Sequence, residues 1–164
     1  MNDLNLTKTS VSIIGAGIAG LSCAIRLQAL GFQVQIYEKS RGPSGRMSTR
    51  NADGWSADHG AQYFTARDPL FIEELNSWIA ADVVAPWNPH LKVFQNNQWR
   101  ESSSTEKRYV GIPAMSSPGQ YLAKNVAIEC NQTIDQITCQ NGKWLLHSLE
   151  TGDIAWQSDW LILA

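Results

Sequence analysis

Charge of either sign is not in excess in this sequence: thirteen Lys+Arg stand against fifteen Asp+Glu, a formal net charge of −2. So balanced a chain has no long-range positive field with which to hold nucleic acid or an anionic membrane, and neither partner is expected. Cysteine is scarce as well. Cys23, Cys130 and Cys139 are odd in number and none forms a CxxC pair, which argues against a disulfide framework or a zinc site and suits a reducing cytoplasm. His90 and His147 are isolated, without ligand spacing, so no metal is expected.

An unbroken apolar span is missing too. The stretch from Val11 to Leu30 is interrupted by Gly15, Gly17, Gly20 and Arg26, and only Lys8 precedes it as a cation, which is not the pattern of a secretion signal or a membrane helix. No internal repeat is visible, and no Ser/His/Asp or Cys/His nucleophile arrangement can be assembled, so no catalytic residue is named. The seven tryptophans are scattered rather than set in a basic groove, and core or interface anchoring is their simplest use.

What is present is enough apolar material, 43% of 164 residues, for one compact core. Val11 to Ile14 is a short β-rich run that stops at glycine. A helical pattern follows to Leu30 and Gly31, and Val34 to Tyr37 reads as a second strand. Strand, glycine turn, helix and strand within so short a stretch predict a right-handed βαβ crossover with parallel strands.

Further on, Lys39 to Arg50 has loop composition with positive charge. Asp68 is a good N-cap for a helix with Pro69 at its first position, whose Phe71, Ile72, Leu75, Trp78 and Ile79 share one face. Short runs between Val83 and Tyr109, separated by Pro86, Asn88-Pro89 and Asn96-Asn97, suggest an antiparallel region. After a helix around Gly119 to Lys124 come runs at Ala127–Glu129, Ile134–Thr138, Trp144–Ser148, Ile154–Gln157 and Trp160–Leu163. Asn141-Gly142 and Thr151-Gly152-Asp153 join the middle three into a predicted meander.

The chemistry concentrates in Gly15-Ala16-Gly17-Ile18-Ala19-Gly20, a GxGxxG that leaves a strand and opens a helix, with Glu38 at the end of the next strand. Gly15 permits the tight turn, Gly17 lets a pyrophosphate approach the backbone, and Gly20 allows close helix–strand contact. Free N–H groups and the helix dipole then face the phosphates. Glu38 suits a ribose diol and repels a 2′-phosphate, favouring FAD or NAD over NADP. Just beyond it, Arg41-Gly42-Pro43-Ser44-Gly45-Arg46-Met47 is a flexible loop whose guanidinium can take a second grip on a diphosphate. Such a loop has no task in an NAD-dependent dehydrogenase, so FAD is the expected cofactor.

Gly15 to Gly20, Glu38-Lys39, Gly45 to Arg50, Asp58 to Arg67 and Tyr109 to Met115 together resemble the bacterial renalase-like branch of the flavin-containing amine oxidase superfamily. The Asp58-His59-Gly60-Ala61-Gln62-Tyr63-Phe64 string is the most specific part of the likeness. The resemblance implies a GR2-type, Rossmann-like α/β FAD-binding fold: a parallel sheet, an antiparallel β-meander and a partial inserted substrate domain. Its cofactor-binding residues would be Gly15, Gly17, Ile18, Ala19, Gly20, Glu38, Lys39, Gly45, Arg46, Met47, Gly60, Ala61, Gln62, Tyr63 and Ile134. Arg46 would lie near the pyrophosphate, Gly60 to Gln62 near the flavin, and the backbone of Ile134 at the adenine. Tyr63 and Phe64 are candidates for shaping the ring-side pocket or for ordinary core packing. His59 stands inside the same string, either near flavin or simply satisfied by a carboxylate such as Asp58.

Implied by the same likeness are a division into a first FAD-binding segment (1–64), a partial substrate domain (65–116) and a second FAD-binding segment (117–164). The family's chain continues beyond that point, so the likeness implies that this sequence is the N-terminal half, either a piece of a longer protein or a truncated relative. The implied activity oxidises a small molecule, a reduced nicotinamide dinucleotide isomer or an amine, with O₂ as acceptor and H₂O₂ as product. The alternative is a non-catalytic nucleotide-binding remnant. Uncovered apolar faces, such as Trp160–Leu163, predict self-association.

Overall fold

The computed structural model describes residues 9–164; Lys8 and the rest of residues 1–8 lie outside the described residues. β1 (Ser10–Ile14), α1 (Ile18–Ala29) and β2 (Gln33–Glu38) form the expected βαβ unit. Its strands pair in parallel, from Ser10 opposite Gln33 to Ile14 opposite Tyr37. Two strands from the far end of the chain complete this sheet. β9 (Ile128–Cys130) joins beside β2, and β13 (Trp160–Leu163) lies beside β1, giving the all-parallel order β13-β1-β2-β9.

Alternation explains the core. Val11 and Ile13 stand opposite Val34 and Ile36 across the β1–β2 ladder, and residues two apart on a strand share a face. These four are buried together with Leu21 and Ala24 of α1 and Leu122 of α3 (Ser117–Ala123). Each Val, Ile or Leu among them contributes about 1.5–3 kcal/mol when fully removed from water.

α2 (Pro69–Ala80) begins as expected: Asp68 Oδ1 accepts from the backbone N–H groups of Leu70 and Phe71, at 2.9 and 3.1 Å. That satisfies two of the donors that a helix start leaves open. Leu75 and Trp78 are buried in the common core. Ile72, expected on the same face, is exposed instead, because the apolar stripe narrows to the side that meets Phe64 and the sheet.

The antiparallel region consists of hairpins. β5 (Val84–Trp87) pairs with β8 (Arg108–Gly111), and β6 (Lys92–Gln95) turns back into β7 (Gln98–Glu101) through Asn96 and Asn97, both left-handed. Asparagine tolerates that conformation better than most residues, which is why it recurs in such two-residue turns. A further hairpin, β3 (Thr49–Ala52) with β4 (Trp55–Asp58), lies where the chain read as loop and motif. Its Asp53-Gly54 turn is a hairpin signal in its own right.

The meander forms from β10 (Ile134–Gln140), β11 (Lys143–Ser148) and β12 (Gly152–Asp153). Its third strand is Gly152–Asp153 and not the expected Ile154–Gln157. Beyond Ile154, whose N–H still donates to the Leu146 carbonyl, the chain leaves the meander. Ser158 then exchanges backbone hydrogen bonds with Trp144, and Asp159 carries the chain into β13. Among the described residues, no helix is long and apolar enough to cross a membrane.

Candidate functional site

A cavity of about 830 Å³ opens where β1 and β2 end, the place at which open parallel α/β sheets bind ligands. Its lining starts with Ile14, Gly15, Gly17, Ile18 and Ala19, and continues through Glu38 to Ser40, Ser44 to Ser48, His59 and Gly60. Gln132, Thr133 and Ile134 enter from the start of the meander, while Phe64, Phe71 and Trp78 add aromatic surface.

The first turn is built by backbone geometry. Gly15 takes φ +108°, and a Cβ on Gly20 would come within 2.1 Å of the Gly15 carbonyl oxygen, so α1 lies directly on the strand end. Gly17 differs: a Cβ there meets no protein atom within 4 Å. Its missing side chain thus keeps cavity space open rather than relieving an internal collision. No side chain caps α1 at Gly17, and the opening amides and positive dipole end are the groups an anion would meet.

Glu38 is buried, unlike an ordinary glutamate at a strand end. Oε2 accepts from the Ala16 N–H at 2.7 Å and Oε1 from the Ser40 N–H at 2.8 Å. The carboxylate therefore ties the glycine turn to the end of β2. A carboxylate has about four acceptor positions, so each oxygen retains capacity toward the cavity it lines. Cys130 faces Glu38 across the β2–β9 ladder; burial, reinforced by Glu38, pushes its thiol pKa up. Burial also raises the Tyr37 phenol, with Glu129 adding to the effect.

The arginine loop folds as a single 3₁₀ turn, Gly45–Met47, against the fingerprint. A Cβ on Gly45 would lie 3.1 Å from Gly17 Cα. Ser44 N–H donates to the Ala16 carbonyl at 2.9 Å, and Ala61 N–H donates to the Arg46 carbonyl at 2.8 Å. Among the described residues Arg46 forms no salt bridge, and its side chain is exposed beside the cavity. A guanidinium so placed can take an anion in bidentate fashion.

Gly60 is pressed against this turn, since a Cβ there would come 2.0 Å from the Arg46 carbonyl oxygen. His59 meets Ser48 Oγ at 3.3 Å through Nε2, not Asp58 as the simpler expectation had it. Asp58 is engaged elsewhere: its Oδ1 accepts from Thr49 Oγ1 at 2.6 Å and from the Met115 N–H at 3.1 Å.

The structure thus gathers Gly15, Gly17, Ile18, Ala19, Glu38, Lys39, Gly45, Arg46, Met47, Gly60 and Ile134 around one cavity. Gly20 serves the helix–strand contact behind it. Ala61, Gln62 and Tyr63 lie outside the lining; the Tyr63 ring packs 5.7 Å from Trp87 and beneath Arg108 at 5.3 Å. Lining residues that sequence reasoning passed over include Ser40, Gln132, Thr133, Phe71 and Trp78. Gln132 and Thr133 could have been found from their place beside Ile134, whereas Phe71 and Trp78 look like plain core aromatics until the helix is docked.

Residues 13–74 match the family model of the NAD(P)-binding Rossmann-like domain. The zeta-carotene-forming phytoene desaturase of Myxococcus xanthus is 44% identical over 50 residues, which is 30% of this chain and 10% of that protein. A phytoene desaturase of Fusarium fujikuroi is 37% identical over 93 residues, 56% of this chain and 16% of the relative. The chain therefore spans only a small fraction of the curated relatives it matches. Among solved structures, a protein from Photorhabdus luminescens assigned as an FAD containing monooxygenase superposes with a TM-score of 0.63 at 20% identity, covering 95% of this chain and 39% of that one. One from an Exiguobacterium species assigned as a protoporphyrinogen oxidase gives 0.73 at 10% identity, covering 96% and 59%. At such low identity these likenesses establish the α/β fold, while the sequence matches carry the homology. With the glycine turn, Glu38 and the arginine loop around one cavity, residues 13–74 match an NAD(P)-binding Rossmann-like domain, and part of the chain is similar to carotenoid desaturases.

Proposed function

We propose that the cavity holds FAD and that this chain forms the dinucleotide-holding part of an FAD-dependent oxidoreductase. The diphosphate would lie against the amides that open α1 at Gly17, with Arg46 as the second grip. Glu38 would use its remaining acceptor capacity on the ribose diol, and Lys39 and Met47 would line the same path. The backbone at Ile134 would meet the adenine and Gly60 would face the flavin ring from the cavity wall, with Ala61, Gln62 and Tyr63 following it outside that wall. When bound, FAD supplies the hydride acceptor; the proposed donor is a reduced nicotinamide dinucleotide isomer or an amine, with O₂ as electron acceptor and H₂O₂ as product, in the manner of a renalase-like enzyme. The chain's own part is to bind, orient and shield.

One observation carries this reading: a Cβ on Gly17 would meet no protein atom within 4 Å, and Gly17 lines the same cavity as Arg46. The test is reconstitution with FAD followed by visible absorption spectroscopy and a binding titration. We expect a retained flavin spectrum, lost in Gly17→Val, while the unfolding free energy of that variant shifts by no more than roughly 1 kcal/mol. Wild-type protein that emerges colourless ends the proposal. Retained FAD without H₂O₂ production from nicotinamide isomers or amines selects the non-catalytic nucleotide-binding alternative.

We also propose the division into segments 1–64, 65–116 and 117–164, supported by β9 and β13 of the last flanking β1 and β2 of the first. A cytoplasmic setting fits the unpaired cysteines. Self-association through β13 belongs to the same reading: it is an edge strand on which Trp160 and Leu163 are 60% and 69% exposed. Light scattering that shows a monodisperse monomer removes this part.

A further inference from the structure

Ser44 stands at φ +106° and is buried, a backbone conformation that glycine adopts freely and serine only under constraint. What the serine adds is its hydroxyl. Ser44 Oγ donates to the Ser116 carbonyl at 2.9 Å, while the Ser44 N–H donates to the Ala16 carbonyl at 2.9 Å within the glycine turn. On its other side the residue is confined by α3, where a Cβ on Gly119 would come within 2.4 Å of Ser44 Oγ.

The anchor that Ser44 reaches is itself held. Ser116 N–H donates to Thr49 Oγ1 at 3.2 Å, Thr49 Oγ1 donates to Asp58 Oδ1 at 2.6 Å, and Met115 N–H donates to the same Asp58 oxygen at 3.1 Å. The segment Met115–Ser116 is therefore clamped by the β3–β4 hairpin, and Ser44 couples that clamp to the turn bearing Arg46. The next residue, Gly45, lies so close to Gly17 that a Cβ on it would come within 3.1 Å of Gly17 Cα, so a shift of Ser44 changes the gap between the guanidinium and the opening amides of α1.

We infer that Ser44 is a positioning residue that sets the spacing between Arg46 and the fingerprint amides, and so the affinity of the site for a diphosphate. The inference rests on the reading that this cavity takes the diphosphate of FAD. It differs from a merely structural role because its effect travels through Arg46 and requires a diphosphate in the ligand.

The experiment titrates wild type, Ser44→Ala, Ser44→Gly, Arg46→Gln and the Ser44→Ala/Arg46→Gln double variant with FAD, ADP and adenosine, and records thermal unfolding of each. Ser44→Ala is expected to weaken FAD and ADP roughly tenfold, as befits one buried hydrogen bond with some misplacement, and to leave adenosine unchanged. In the Arg46→Gln background the same substitution should cost almost nothing more, since residues acting through one another are not additive. Ser44→Gly should lose diphosphate affinity in the same way while its unfolding temperature holds, because glycine accepts the backbone; this variant decides the matter if the alanine protein does not fold. Unchanged FAD and ADP binding in the serine variants, an equal loss for adenosine, or full additivity with Arg46→Gln overturns the inference alone. Wild type that binds none of the three probes overturns the FAD reading and this inference with it.

Discussion

The β1–α1–β2 unit and the β6–β7 hairpin are both two-stranded pieces closed by a short sequence signal, yet they differ in what holds them. Val11, Ile13, Val34 and Ile36 are buried under α1, and Glu38 and Tyr37 bind the glycine turn back to the second strand. Every residue of β6 and β7 is exposed, and their main side-chain contact is Phe94 against Trp99 at 5.0 Å, with Trp99 68% exposed. The site-bearing unit is thus fixed by tertiary packing and the hairpin by its ladder and local pairs. Precision in ligand geometry requires the first kind of support.

Four variants sharpen or break this contrast. Gly20→Val should have the largest effect. Its Cβ cannot coexist with the Gly15 carbonyl at 2.1 Å, so α1 must lift off the strand, and chemical denaturation should show loss of most of the folding free energy. Trp78→Ala comes next, with about 3–5 kcal/mol expected from the cavity it leaves. That residue is buried among Phe64 and Phe71, and its Nε1–H donates to Glu74. A smaller change would mean that α2 is not part of the common core.

The third test concerns pH. Asp159 accepts from Lys143 Nζ at 2.6 Å and from the backbone and hydroxyl of Ser10 at 2.9 Å each. The Lys143 hydrogen bond, then those of Ser10, lower its pKa from 3.8 to about 2. A depressed folded-state value means that the stabilisation is present above 3.8 and disappears as pH falls toward about 2. Asp159→Asn should therefore flatten the acid limb of the stability curve, measured by urea midpoints across that range, while wild type declines. Smallest of all, Trp99→Ala should cost about 0.5–1.5 kcal/mol or less, because an exposed aromatic pair contributes little. An effect as large as that of Trp78→Ala would abolish the distinction between the two regions.

Legibility along the chain followed the range of the interactions. The GxGxxG turn, the Asp68 N-cap and the parallel β1–β2 pairing depend on neighbours close in sequence, and each stands where the residue pattern put it. The β3–β4 hairpin had its Asp53-Gly54 signal, obscured by the motif residues on either side. Ile154 to Gln157 looked like a third meander strand because alternation suits it, but the pull of Ser158 toward Trp144 and of Asp159 toward Ser10 takes the chain elsewhere. Such competition between distant partners leaves no mark in a local pattern.

The same divide runs through the site. Glycine at positions 15, 17 and 20, an acid at Glu38 and an arginine in a pliant loop were determined by the chain alone, because backbone access and charge are properties of residue type. The tertiary structure decided that Glu38 holds the turn through Ala16 and Ser40, that Asp58 serves Thr49 and Met115 instead of His59, and that Ser44 links two segments 72 residues apart. Hydrogen-bond partners are chosen by distance in space, and only the packed sheet brings those groups within reach of one another.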